Sequence, residues 1–245
     1  MKNKIVLITG GSRGIGAATA KVLCENGYSV AIGYAGSREK AESLAKSLRE
    51  QGGNALAVPC DVTSRESLKA AIQTIHAHMG KLTHLVCCAG IAQQKLFQDI
   101  TDEDWDALFD VNTKGVFRAV QEALPDFFAT ESGCIVTVSS MWGQVGASCE
   151  SHYAAAKGAV IALTKSLAKE LGPSNIRVNC VSPGTILTDM VAPLGEETLS
   201  DLADETPLCR NGTPDEAAKA IAFLCSEEAS FVNGAILPVN GGYIT

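Results

Sequence analysis

Tyr153 and Lys157 stand four residues apart, a spacing that stacks two side chains on one face of an α-helix. A free phenol holds its proton up to a pKa of about 10, and a nearby cation lowers that value by favouring the phenolate. Such a pair can give a proton to a carbonyl oxygen while a hydride reaches its carbon. Ser140 precedes Tyr153 by thirteen residues, at the end of a predicted strand. Ligands of doubly wound folds sit beyond the carboxyl ends of strands, so its hydroxyl is placed to hold a carbonyl oxygen. Taken singly, each feature has an ordinary reading: an amphipathic helix with an exposed lysine, and a strand-end turn. His152, next to Tyr153, points off that helix face and reads as surface.

A second constellation opens the chain. Ile5 to Thr9 is an apolar run, followed by Gly10-Gly11-Ser12-Arg13-Gly14-Ile15-Gly16 and a helical pattern. Glycines let backbone approach a pyrophosphate closely, and a helix N-terminus offers it free N–H groups. The same order also describes a plain strand-to-helix turn.

The elements that must hold these residues alternate. Apolar, β-rich runs fall at 4–9, 28–34, 54–60, 82–88, 133–139, 176–182 and 235–240. Helical stretches fall at 14–25, 37–51, 64–79, 102–130, 150–171 and 214–226. This order predicts an α/β fold: a three-layer, doubly wound parallel sheet of seven strands, the Rossmann fold. The strands are apolar almost throughout, as both faces of such a sheet are covered. No linker or repeat divides the chain, so residues 1–245 are expected to form one dinucleotide-binding catalytic domain. Residues 185–212 have weak periodicity and read as a substrate lid, with a short helix over 196–205.

The glycine spacing, T-G-x-x-x-G-x-G with Gly10, Gly14 and Gly16, together with Ser140, Tyr153 and Lys157, resembles the short-chain dehydrogenase/reductase family. The likeness extends from the first strand to Asn240-Gly241-Gly242. It implies that Ser140 orients the carbonyl, Tyr153 transfers the proton, and Lys157 binds the nicotinamide ribose. It also implies that Asn112 kinks its helix and holds a relay water. Ser12, Arg13 and Ile15 belong to the cofactor turn. Asp61 and Val62 would flank the adenine, although Asp61 also reads as an N-cap for helix 64–79. Ala89 and Gly90 would approach the cofactor ribose, and Pro183, Gly184, Ile186 and Thr188 the nicotinamide. Where the family commonly has Asn-Asn-Ala-Gly, this chain has Cys87-Cys88-Ala89-Gly90. Cysteine hydrogen-bonds more weakly there, so lower local stability is expected rather than lost chemistry.

An NAD-binding unit usually places an acid at the end of its second strand, to hold the ribose 2′-hydroxyl. Here Tyr34 is followed by Ala35-Gly36-Ser37-Arg38, and the first acid is Glu39. Arg13 and Arg38 can offer charge-assisted hydrogen bonds to a 2′-phosphate, or stand as solvated surface groups. NADP(H) is the expected cofactor.

The pattern is most similar to the bacterial 3-oxoacyl-[acyl-carrier-protein] reductases of fatty acid biosynthesis. That likeness implies an NADPH-dependent reduction of a ketone, small or carrier-bound, to a secondary alcohol. It also implies a homotetramer paired through helices 102–130 and 150–171. Glu131 and Ser174 occupy positions where such enzymes carry carrier-binding arginines near the active-site mouth. Like charges across an interface are costly, which weakens the carrier reading. Residues 140–150 resemble a subgroup in which some members reduce a ketone-bearing modification on elongation factor P. Met141 and Trp142 could wall an apolar pocket, and Glu150 could meet an amine. A hydroxysteroid or other alcohol dehydrogenase, and an NADPH-binding regulator without catalysis, complete the alternatives.

Composition narrows the partners. With 46% hydrophobic and 19% charged residues the chain is globular in type, and its net charge of −7 disfavours nucleic acid or an anionic membrane. Four apolar residues at the start are too few for a signal-peptide core. The nine cysteines include no C-x-x-C, so neither a metal site nor a disulfide framework is expected. Free thiols suit the cytoplasm.

Overall fold

A computed structural model describes residues 4–244. Its seven strands form one parallel sheet in the order β3-β2-β1-β4-β5-β6-β7. They are β1 (Ile5–Thr9), β2 (Ser29–Tyr34), β3 (Asn54–Pro59), β4 (His84–Cys87), β5 (Gly133–Val138), β6 (Ile176–Pro183) and β7 (Ile236–Val239). The chain leaves β3 and returns beside β1 as β4, so the order reverses between β1 and β4. That is the crevice where doubly wound sheets bind dinucleotides.

Alternation along each strand divides the core in two. Leu7, Leu85, Ile135 and Val178 face one layer with Phe127, while Ile8, Ile32, Val136 and Val181 face the other. All eight strand residues are fully buried, which is why these strands read as unbroken apolar runs.

The helices are α1 (Gly14–Glu25), α2 (Arg38–Glu50), α3 (Arg65–His78), α4 (Asp102–Phe109), α5 (Gly115–Thr130), α6 (Trp142–Val145), α7 (Ser151–Leu171), α8 (Gly195–Glu205) and α9 (Pro214–Cys225). The helix expected over 102–130 is not continuous. A π turn, Asp110–Lys114, separates α4 from α5; such turns often mark functional sites because the extra residue widens the backbone. One N-cap also differs from expectation. Ser64, not Asp61, caps α3, its hydroxyl accepting from Ser67 N at 3.1 Å. Asp61 instead accepts from the N–H and hydroxyl of Thr63.

Candidate active site

The carboxyl ends of β1, β4, β5 and β6 form one rim. Ser140 follows β5, and α7 begins eleven residues later, so the serine and the first turns of α7 meet above the same strand end. Two hydroxyls fix α7 there: Ser139 Oγ donates to the Lys157 carbonyl at 2.8 Å, and Thr113 Oγ1, from the π turn, donates to the Ala156 carbonyl at 3.0 Å. Ser140, Tyr153 and Lys157 are all buried.

Burial is the largest influence on Tyr153 and pushes its phenol up to about 12; a hydrogen bond with Ser140 pulls the other way, and the Glu150 carboxylate raises it further. Lys157 Nζ lies 5.7 Å from the Tyr153 ring centroid and donates to the Val138 carbonyl at 3.0 Å. The spacing predicts a phenol lowered by Lys157; burial raises it instead, so Tyr153 holds its proton at neutral pH in this geometry. Burial also lowers the Lys157 pKa.

Asn112 sits inside the π turn, completely buried. Its Oδ1 accepts from Ile91 N at 2.9 Å and its Nδ2 donates to Ile91 O at 2.8 Å. Gly90 lies between it and Lys157. A Cβ there would stand 3.0 Å from Asn112 Oδ1 and 3.4 Å from Lys157 Nζ, so any larger residue would fill the space linking them.

The glycine turn lies beside this rim. Gly10 has φ +65°, and a Cβ on it would come within 2.7 Å of Ala89 Cα. The backbones after β1 and β4 thus approach as closely as only glycine allows. Helix α1 opens at Gly14, with Arg13 as its extended, exposed N-cap. Ser12 and Ile15 are half-buried, and Gly16 is buried. A close-packed turn with free helix N–H groups fits a pyrophosphate. Thr188 packs on this turn, its Cγ2 3.3 Å from where a Gly14 Cβ would be. Ile186 is buried and bridges Gly212. Pro183 O accepts from Met141 N, and Gly184 N donates to Val239 O. Val62 is buried beneath Gly115.

Several side chains depart from expectation. His152 is not on the surface: it is fully buried, with Nε2 2.9 Å from Gln93 Oε1. Burial lowers its pKa. Gln93 Nε2 in turn donates to Asp104, so the segment after β4 is tied to both α4 and α7. Met141 is buried and turned into the protein, while Trp142 is half-buried and packs against the cluster of Leu108, Tyr153 and Ala156. Glu131 and Ser174 do not border this rim. They precede β5 and β6, and the six residues of β5 span about 20 Å, which puts both positions at the opposite edge of the sheet. Arg38 pairs with Glu42 at 2.7 Å on an exposed surface. Lys40, which sequence reading passed over, reaches Asp189 at 3.1 Å, and Asp189 also feels the charge of Arg13. Cys88 is not an activated thiol, since burial raises it to about 12.

Known proteins resemble this chain over nearly its whole length. The family described as Enoyl-(Acyl carrier protein) reductase fits residues 10–244. The chain is 40% identical over 239 residues to the 3-oxoacyl-[acyl-carrier-protein] reductase FabG of Staphylococcus aureus, covering 98% of this chain and 97% of the relative. It is 42% identical over 241 residues to the cis-4-hydroxycyclohexanecarboxylate dehydrogenase of Sinomonas cyclohexanicum, covering 98% and 96%. The crystal structure of 3-oxoacyl-[acyl-carrier protein] reductase from Brucella melitensis superposes with a TM-score of 0.94 at 35% identity, covering all of this chain and 92% of that one. A full-length match in sequence and in fold, over a rim that gathers serine, tyrosine and lysine, means that the chain belongs to the short-chain dehydrogenase/reductase family, as an oxidoreductase acting on CH–OH and ketone groups.

Proposed function

We propose that this protein reduces a ketone to a secondary alcohol with NADPH, as a reductase of the 3-oxoacyl-[acyl-carrier-protein] type. The observation that carries the reading is that Ser140, Tyr153 and Lys157 are buried together beyond the end of β5, with Lys157 Nζ 5.7 Å from the Tyr153 ring centroid. When bound, a nicotinamide supplies the hydride. The residues of the chain do the rest. Ser140 holds the carbonyl oxygen, the protonated phenol of Tyr153 gives that oxygen its proton, and the Lys157 ammonium stabilises the phenolate left behind. Gly90, whose missing side chain leaves room between Asn112 and Lys157, would let a water there return the proton.

The dinucleotide would lie from Gly10, Ser12, Arg13, Gly14, Ile15 and Gly16, past Asp61, Val62, Ala89 and Gly90, to Pro183, Gly184, Ile186 and Thr188. We assign NADP(H) rather than NAD because β2 ends at Tyr34 without an acid, Arg38 and Lys40 open the helix that follows, and Arg13 acts on Asp189, the partner of Lys40. Residues 185–212 serve as the lid of a single catalytic domain. A homotetramer built on α4, α5 and α7, and residence in the cytoplasm, complete the proposal; nine free cysteines support the latter.

The relatives named above favour a 3-oxoacyl thioester on a carrier protein, and the cyclohexane relative favours including free cyclic ketones in the panel. They bring no support for an elongation factor P modification, a hydroxysteroid or a regulatory role. Oxidation of NADPH at 340 nm (about 10-fold preferred over NADH, in line with a specific 2′-phosphate contact) should follow addition of a 3-oxoacyl thioester. Absence of turnover with thioesters and free ketones alike, despite NADPH binding, would overturn the proposal.

A further inference from the structure

The segment after β7 joins two parts of the rim that sequence reading treated separately. Asn240 folds it back on itself, Oδ1 accepting from Gly242 N and Nδ2 donating to Ile244 O, both at 3.0 Å. Leu208 N, just past α8, donates to Gly241 O at 3.2 Å. This turn presents Tyr243 between two partners. Its hydroxyl donates to Glu205 Oε2, the last residue of α8, at 2.6 Å. Its ring meets Trp142 edge to face, centroids 5.5 Å apart and planes at 87°. Trp142 in turn packs on the cluster that contains Tyr153, and its backbone N–H donates to Ser140 Oγ at 3.2 Å. A continuous line of contacts therefore runs from the proposed lid helix, through one tyrosine, to the two side chains that would hold the carbonyl.

We infer that Tyr243 is a positioning residue for the ketone: it seats α8 against Trp142, so that Trp142 walls the chamber beside Tyr153 and limits the bulk a substrate can carry on that side. The preferred ketones then have a slim or planar group next to the carbonyl on the Trp142 side, with the longer arm leaving elsewhere. Tyr243 touches no reacting atom. It acts on ketone affinity through Trp142 and the lid, and the cofactor turn lies outside its contacts. This inference rests on the ketone-reductase reading above.

The test uses the full-length protein. Tyr243→Phe keeps the ring and removes only the hydrogen bond to Glu205. Its expected effect is a rise of about 3- to 10-fold in KM for the ketone (one hydrogen bond to a charged group, partly exposed), with kcat and the KM for NADPH at their wild-type values. Glu205→Ala should reproduce that change, the double variant should be no worse than either single one, and Glu205→Gln, which can still accept the bond, should behave as wild type. Trp142→Ala should shift the ratio of kcat/KM toward ketones with a branched group at the carbonyl by at least about tenfold. Ketone KM values that stay at the wild-type level in Tyr243→Phe, or effects of Tyr243→Phe and Glu205→Ala that simply add, would overturn the inference. Limited proteolysis within 195–205 reads the same contact without turnover: Tyr243→Phe and Glu205→Ala should speed cleavage of α8, and unchanged cleavage overturns it. A wild-type protein inactive on every ketone refutes the reductase reading, while the proteolysis result still decides the role of Tyr243 in seating α8.

Discussion

Tyr28 and Tyr153 are both buried, and each has a lysine ammonium over its ring, Lys4 at 5.2 Å and Lys157 at 5.7 Å. Burial raises the pKa of both phenols. They stand at opposite ends of the strands and differ in what surrounds the hydroxyl. Tyr28 donates to the Cys225 carbonyl at 3.1 Å. That carbonyl ends α9, and the neighbouring groups are also taken: His84 Nε2 reaches the same oxygen at 3.1 Å, and Arg177 donates to Leu224 O and Ser226 O. The amino ends of β2, β4 and β6 thus cap a helix C-terminus with matched donors. Tyr153 faces a serine hydroxyl that can donate or accept, beside a lysine with donors to spare. A buried, shifted tyrosine is therefore no sign of chemistry by itself; what separates the two is whether the hydroxyl's partner leaves capacity for a substrate atom.

The largest effect that tests this contrast is the loss of each hydroxyl in turn. Tyr153→Phe should lower kcat/KM by about 10³-fold, the range of a general acid, with thermal stability nearly unchanged. Tyr28→Phe should do the reverse, costing about 1 kcal/mol of stability for one buried hydrogen bond and leaving turnover intact. Steady-state kinetics beside urea unfolding of both variants reads the two axes together. A drop in kcat/KM for Tyr28→Phe comparable with that of Tyr153→Phe would dissolve the distinction.

His84 gives the structural end a pH signature. Burial lowers its pKa to about 4 from the usual 6.5. Nε2 must donate to the Cys225 carbonyl, so Nδ1, 2.7 Å from Thr83 Oγ1, accepts there and the neutral ring is satisfied. Between about pH 6.5 and 4 the unfolded chain binds a proton that the folded chain lacks. Stability from this group is full above that window and is lost as pH falls through it, by at most roughly 3 kcal/mol. Urea midpoints of wild type and His84→Gln should converge as the pH falls from 7 to 5, because only the wild type loses this term. Parallel curves would show that His84 is not held neutral.

The contrast also explains what the sequence made legible. Strands covered on both faces must be apolar throughout, so all seven were readable. The glycine turn, Ser140, Tyr153 and Lys157 are local patterns of residue type and spacing. The family likeness implies a kink at Asn112, but the apolar period of 102–130 does not itself show the π turn of Asp110–Lys114 that makes it. The burial of His152 depends on Gln93, 59 residues earlier, and the place of Tyr243 depends on Glu205 and Trp142. No window along the chain contains such partners. Asp61 and Ser64 both suit an N-cap, and only the backbone decides between them.

Arg177 should matter next. Replacing it with Leu removes the donors to Leu224 O and Ser226 O and a contact with Cys134 Sγ at 3.5 Å. Those carbonyls close a helix whose dipole is negative at that end, so a cost of roughly 2 kcal/mol is expected in unfolding free energy, again with kcat unchanged. Hydrogen exchange should locate the loosening in the last turn of α9. Protection lost at α7 instead would mean that the two ends of the sheet are coupled.

The smallest effect is that of Lys4, set against Lys157. Lys4 is partly exposed, and among the described residues it also pairs with Glu227, 85% exposed and 3.9 Å away. A half-solvated cation over a ring contributes about 0.5 kcal/mol, and an ion pair that exposed adds little. Lys4→Met keeps the apolar stem over Tyr28 and should therefore shift stability by no more than about 0.5 kcal/mol, without touching turnover. Lys157→Met keeps the same stem beside Tyr153 but removes the charge beside the proton donor and the donor to Val138 O. It should cost activity on the order of 10²-fold or more. The two substitutions are chemically identical, so the ratio of their effects on kcat/KM measures how far position, rather than residue type, makes a tyrosine–lysine pair reactive. Equal ratios would mean that the Tyr153 pair, like the Tyr28 pair, is only packing.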